Sequence, residues 1–298
     1  MKLIKPIIVT PAKITSYNVT QTEAIWSSVT TYAKGARVVL DAFGVTVYES
    51  LIDNNFNKAP ASNPTSWLPV GASNYAAMFD GVNGSQTTQT DSINITFKTS
   101  ELINAIGLVN LDASSVRVQM VDTTAGTVYD KTINLKTLPA SNWYEFYFGE
   151  FVQKDNAVFS DLPPYRNASI TVTVKSYATG GIAKVGTISL GKLESVGKAQ
   201  WGVKLGFVDY SRKEADDFGN YTVIQRSYAN TMEVDIELET SKIPTVQRLR
   251  SELRSTPVVW VASEQYAETT AYGFFGTFDI NLSNPILSTA SITINGLT

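Results

Sequence analysis

The sequence predicts an all-β chain in three parts: a small aromatic β-module, a jelly-roll β-sandwich, and a C-terminal β-sandwich carrying one amphipathic helix. Three observations predict it. Val, Thr, Ser, Asn and aromatics are plentiful, while Gly and Pro recur at short intervals. Several separate runs alternate apolar and polar residues with a period of two. Only one stretch keeps a helical period with a well-placed start. The expected divisions are an arm or linker over 1–25, the module over 26–72, the sandwich over 73–195, and a second β domain with the helix over 196–298.

Composition narrows the function. At 298 residues the chain has room for about two domains, or three if one is very small. The net charge is −3 and the pI near 5.2, which gives no broad basic field for phosphate. No nucleic-acid partner is therefore expected. Cysteine and histidine are both absent. That excludes disulfides, thiol catalysis and thiolate metal sites, and removes the commonest general base and transition-metal ligand. No catalytic residue, cofactor or metal is expected. A carboxylate-dependent glycosidase would need two acids facing across a cleft, and no pair stands out.

The chain opens MKLIKPIIVTPAK. A secretory core needs roughly 7–15 apolar residues, and Pro6 and Pro11 bracket the Ile-Ile-Val run too tightly for that. The run reads as an extended arm or edge strand. No segment approaches the roughly 18 apolar residues of a membrane helix, so no membrane insertion is expected and synthesis is expected in the cytoplasm. In the module, Gly35 precedes the apolar run Val38, Val39 and Leu40. A hairpin through Phe43-Gly44 is expected to return on Val45, Val47 and Tyr48. Ala59-Pro60 to Asn63-Pro64 reads as a loop. Trp26, Tyr32, Tyr48 and Trp67 are too many large aromatics for so short a polar segment to carry by chance.

In the sandwich, Ile93, Ile95 and Phe97 alternate with polar residues, as do Val116, Val118 and Met120, then Ile170, Val172 and Val174. Asp122 to Thr127 reads as a hairpin turn. Trp143 to Phe148 reads as a strand covered on both faces, with Trp143 and Tyr147 on one side and Tyr144, Phe146 and Phe148 on the other. A Gly-punctuated junction over 191–198 reads as a boundary. Beyond it, Met232, Val234, Ile236 and Leu238 face one way and acids the other. In the helix, Val246, Leu249 and Leu253 share a face, Pro244 suits the first turn and Ser241 is a plausible cap. Apolar strand-like runs from Pro257 and Tyr272, then SITINGL, complete the chain.

Three resemblances follow from particular residues. Trp26, then Tyr32-x-x-Gly35-x-x-Val38, then Tyr48, a Pro-bearing loop and Trp67 resemble the small chitin-binding modules of carbohydrate-binding families 5 and 12. The loop DNNFNKAPASNP is longer than theirs, and no second aromatic stands beside Tyr48. The Asp80-Gly81 loop before the first long strand is similar to the start of galactose-binding-like (discoidin-type) sandwiches. GFVDYSRKEADDFGN, Arg226-Ser227-Tyr228, TPVVWVA and YGFFGTF resemble the arrangement of tail-tube and distal-tail proteins of long-tailed bacteriophages.

The last resemblance implies a non-enzymatic structural component of a phage tail, at the baseplate or tip, found in the virion. Its C-terminal domain would assemble into a homo-oligomer beside other tail proteins, and its modules would touch host surface glycan. Asp209, Arg212, Lys213, Glu214 and Asp217 are the candidate subunit contacts. Tyr32, Trp67 and Phe56 are the candidate glycan-binding residues, while Trp26 and Tyr48 are assigned to the module core. The alternative is a free carbohydrate-binding protein, or an accessory module of a polysaccharide-degrading system.

Overall fold

A computed structural model describes residues 1–41, 45–137, 142–149, 151–215 and 218–297. The expected Phe43-Gly44 hairpin lies outside them. The chain is nearly all β, as the alternating runs require. Those runs form the strands Ser92–Lys98, Ser115–Asp122 and Ser169–Lys175. They are neighbours in a five-stranded sheet, with Gly126–Asn134 and Ile14–Tyr17 at its edges.

Register turns the alternation into a core. Ile95 pairs with Val172, which pairs with Val118, so one side of each strand points inward. This face packs on Ile106, Leu108, Phe159, Val185 and Leu190 of the opposing sheet. Burying each such side chain contributes about 1.5–3 kcal/mol. The Asp122 turn forms as expected. Its Oδ1 accepts the backbone N–H groups of Thr124 and Ala125, both at 2.9 Å. Gly126 then takes a φ of 74°, a left-handed conformation that glycine adopts freely.

The opposing sheet has eleven strands and runs on into the C-terminal region. Its continuity comes from the N-terminal strand Lys2–Pro6. This strand pairs with Ile182–Ser195 on one side and with Val258–Val261 on the other. The expected arm or edge strand is therefore an interior strand. Leu3 faces the C-terminal core and Ile4 a separate cluster between the two halves. Leu3 and Ile4, consecutive and therefore on opposite faces, are both buried, so the strand shows no alternation. The expected boundary at 191–198 falls at the end of a single strand, Ile182–Ser195. Gly191 marks a close approach, because a Cβ there would lie 1.9 Å from the Lys5 carbonyl oxygen.

The C-terminal strands Tyr228–Glu239, Thr270–Asn281 and Leu287–Gly296 extend this sheet. The helix Ile243–Leu253 lies on it, burying Ile243, Val246, Leu249 and Leu253 against Met232, Val234, Trp260 and Ile292. Pro244 sits in the first turn as expected. Ser241 is not the cap: it lies in a preceding 3-10 turn, Thr240–Lys242, and the helix starts without a side-chain cap.

The aromatic run at 143–148 is a second, short helix, Trp143–Phe148, and not a covered strand. Asn142 caps it, its Oδ1 accepting the Glu145 N–H at 2.9 Å. All five of its aromatic side chains are exposed. Alternation of aromatics cannot distinguish a covered strand from a helix without any buried face, and the cap residue decides the difference.

Candidate functional site

The module is built on a four-stranded sheet, Ala24–Ile25, Arg37–Val39, Thr46–Ser50 and Trp67–Ala72, with a small ribbon pairing Thr31–Tyr32 to Asn55–Phe56. Tyr32, Val38 and Trp67 form its core. Trp67 is 1% exposed and Tyr32 9%, their ring centroids 5.3 Å apart in an edge-to-face arrangement. Their polar ends are also consumed. Trp67 Nε1 donates to the Lys58 carbonyl at 2.8 Å, and the Tyr32 hydroxyl accepts the Ser27 N–H at 2.7 Å.

Neither ring presents a free face, so Tyr32 and Trp67 are not a stacking platform. Phe56 is 54% exposed, but its ribbon neighbour Asn55 points into the core, so Phe56 stands on the opposite side from the other two. The structure therefore does not bring the three nominated residues together. The division of labour is the reverse of the expected one. Trp26 and Tyr48, assigned to the core, are the half-exposed aromatics packed on its margin. The physical reason is size: a module with so few residues must spend its central aromatics on its own core.

The charged segment lies on a long hairpin extension. Lys204–Asp209 pairs with Tyr228–Glu239 at the sheet edge, and Arg212–Ala215 pairs with Tyr221–Ile224 beyond it. The charges partner one another. Asp209 accepts from Lys213 Nζ at 2.8 Å and from the Ser211 N–H at 2.9 Å, and Arg212 pairs with Glu214. Those bonds, led by that of Lys213, hold the Asp209 carboxyl well below the usual carboxylate range. Asp217 lies outside the described residues. What sets the hairpin apart is apolar. Leu205, Phe207, Val208, Tyr210, Tyr221 and Val223 are exposed, and Phe218 is 91% exposed. No residue of Lys204–Asp209, Arg212–Ala215 or Tyr221–Ile224 is buried.

Open clefts lie elsewhere among the described residues, including two with aromatic and amide side chains in their walls. One, of about 260 Å³, follows the seam between the halves, where Asn83, Asn110, Asp155, Asn230 and Tyr272 line it. Much of its polar equipment is already engaged: Asn110 donates to the Asn83 carbonyl and accepts from Gln86. The other, of about 610 Å³, lies between the segment 198–203 and the loop 262–269. Trp201, at 91% exposure, and the half-exposed Tyr266 line it together with Gln200 and Gln265. Sequence reasoning singled out neither Trp201 nor the apolar hairpin. A Trp followed by Gly202 ahead of a strand was the available signal, and the strand period alone does not say which face stays uncovered.

No group of three or more Asp and Glu residues placed to hold a metal ion occurs among the described residues. No protein-family model matches the chain, and no curated relative does. Among solved structures, the chain is similar to chitosan-binding module 1 derived from a chitosanase/glucanase of Paenibacillus sp. IK-5. The identity is 12% and the TM-score 0.26, over 39% of this chain and 83% of that one. It is also similar to CBM32-1 from a family 31 glycoside hydrolase of Clostridium perfringens. There the identity is 12% and the TM-score 0.24, over 39% of this chain and 83% of that one. Likeness at these scores carries no argument about function.

Proposed function

We propose that the protein is a non-enzymatic assembly subunit, a structural component of a bacteriophage tail at the baseplate or tip. The hairpin over 204–228 carries this reading. Leu205, Phe207, Val208, Tyr210, Tyr221 and Val223 are exposed there, and among the described residues the strand Lys204–Asp209 pairs with Tyr228–Glu239 alone. A bare strand edge with apolar side chains is a template for another chain. A second copy closing head to tail would cover it and generate a ring. The sandwich and module then project as displayed parts, and weak contacts to surface glycan gain strength from copy number.

Light scattering and electron microscopy of the full chain test this directly. The expected result is a closed oligomer. Phe207→Lys with Val223→Lys is expected to leave a monomer with the thermal midpoint of the parent. A parent that stays monomeric at high concentration, with the double variant indistinguishable from it, overturns self-assembly.

A second reading, a free carbohydrate-binding protein or accessory module, is favoured by one observation. Trp26 and Tyr48 keep partly exposed rings on the module margin, while Trp26 Nε1 is buried with no hydrogen-bond partner among the described residues. This reading predicts a monomer that binds sugar through the exposed ring faces of Trp26 and Tyr48 in the module alone.

A further inference from the structure

We propose that the cleft between segment 198–203 and loop 262–269 is a saccharide-binding site, with Trp201 as its stacking platform and the side-chain amides of Gln200 and Gln265 as its hydroxyl-binding groups. This site goes beyond the assembly reading and does not depend on it.

The first support is the way the backbone presents Trp201. Ala199 pairs with Ile236 and Lys204 with Glu233, so residues 200–203 lie opposite only residues 234–235. The surplus chain leaves the sheet as a wide bulge. Gly202, at a φ of 103°, allows the turn, and the Gln200 N–H ties its base to the Asp235 carbonyl at 2.8 Å. Bulges of this kind re-aim a side chain. Here the side chain is a tryptophan set almost entirely in solvent, beside a core already filled by other residues.

The opposite wall is held in shape before any ligand arrives. Thr269 Oγ1 accepts the Ser263 N–H at 3.1 Å, and its single proton is directed to the Tyr266 carbonyl at 2.7 Å, with the Ser263 carbonyl also within reach at 3.0 Å. The Ala262 N–H donates to the Thr269 carbonyl at 3.0 Å. A loop fixed by its own hydrogen bonds presents Gln265 and Tyr266 without a large ordering cost on binding.

The chemistry of the walls selects the ligand. An indole face carries negative quadrupole density, which attracts the positively polarised C–H face of a pyranose ring. Side-chain amides both donate and accept, matching hydroxyls that do the same. The side chains of Gln200 and Gln265 are not engaged by any other described residue; only their backbone N–H groups are. Lys198 is the one charged residue of the lining, and no carboxylate joins it. The cleft is large enough for more than one ring, which suits a neutral oligosaccharide.

The test uses the full chain and a panel of chitotetraose, cellotetraose, maltotetraose and mannotetraose, followed by calorimetry and tryptophan fluorescence. At least one neutral oligosaccharide is expected to bind. Trp201→Ala is expected to weaken it about tenfold or more, with Trp201→Phe intermediate. Gln265→Ala is expected to weaken it less. Binding that survives Trp201→Ala, or no binding of any sugar, overturns the proposal. So does a drop in oligomer mass in Trp201→Ala without an effect on sugar, which assigns the cleft to a second copy. The hairpin variant reports on assembly separately, and it is expected to bind the sugar as the parent does.

Discussion

Trp67 and Trp201 are the same residue in opposite circumstances. Trp67 is sealed in the module with its ring packed against Tyr32 and its N–H spent on Lys58. Trp201 stands on a bulge at 91% exposure, beside a sheet whose core is complete without it. In a domain of a few short strands, a large aromatic is the core and is unavailable for anything else. On a large sheet that already buries Trp260, Phe278 and Ile292, a further aromatic is surplus to folding. Candidate binding aromatics are therefore better sought where the core no longer needs them.

The largest expected effect breaks the first half of this comparison. Trp67→Ala removes the central ring of a small core cluster that it forms with Tyr32 and Val38. A change of this kind costs about 3–5 kcal/mol. The module is expected to unfold while the main body remains folded, because the module cluster is separate from those of the sandwich and the C-terminal region. Limited proteolysis should cut within 26–72, and the principal thermal transition should stay where it is. If the whole chain melts together, the module is not an independent unit and the contrast fails.

The seam supplies a second, smaller test of separability. Burial pushes the Tyr272 hydroxyl up to about 12, and burial also raises Tyr17 and Tyr129. A tyrosine that resists ionisation in the folded state favours folding while it stays neutral. The unfolded chain releases its proton near the ordinary value of about 10. Stability is thus fully present below pH about 10 and falls as pH rises towards about 12. Denaturant midpoints of the main transition should drop across that window. Tyr272→Phe should flatten part of the fall, since the ring stays and the ionisable group goes. An unchanged slope in this variant would remove Tyr272 as a cause.

The fold was legible where side chains obey one rule at a time. Ile93, Val118 and Val172 alternate because one face is buried and the other wet, and the helix from Ile243 repeats its apolar face for the same reason. Leu3 and Ile4 were not legible: a strand buried on both faces looks like any short apolar run, and its partners lie far along the chain. The aromatic run from Trp143 misled because a helix exposed all round has no period to read. The candidate site was less legible still. Tyr32 and Trp67 were found as a cluster but given the wrong face, and composition alone cannot tell an inward ring from an outward one. Trp201 depends on a mismatch of register between strands, which exists only after pairing.

The smallest expected effect is the most discriminating. Trp201→Ala should change the stability of the folded chain by less than about 0.5 kcal/mol, the usual range for surface substitutions that touch no cap, cavity or buried polar group. The side chain buries almost nothing, and the bulge is held by Gly202 and by the Gln200 N–H, neither of which the substitution alters. Denaturant midpoints of parent and variant should therefore coincide while sugar affinity separates them. Should Trp201→Ala instead cost as much as Trp67→Ala, the ring is a structural member of the sheet edge, and an exposed aromatic on a bulge is no longer a mark of function here.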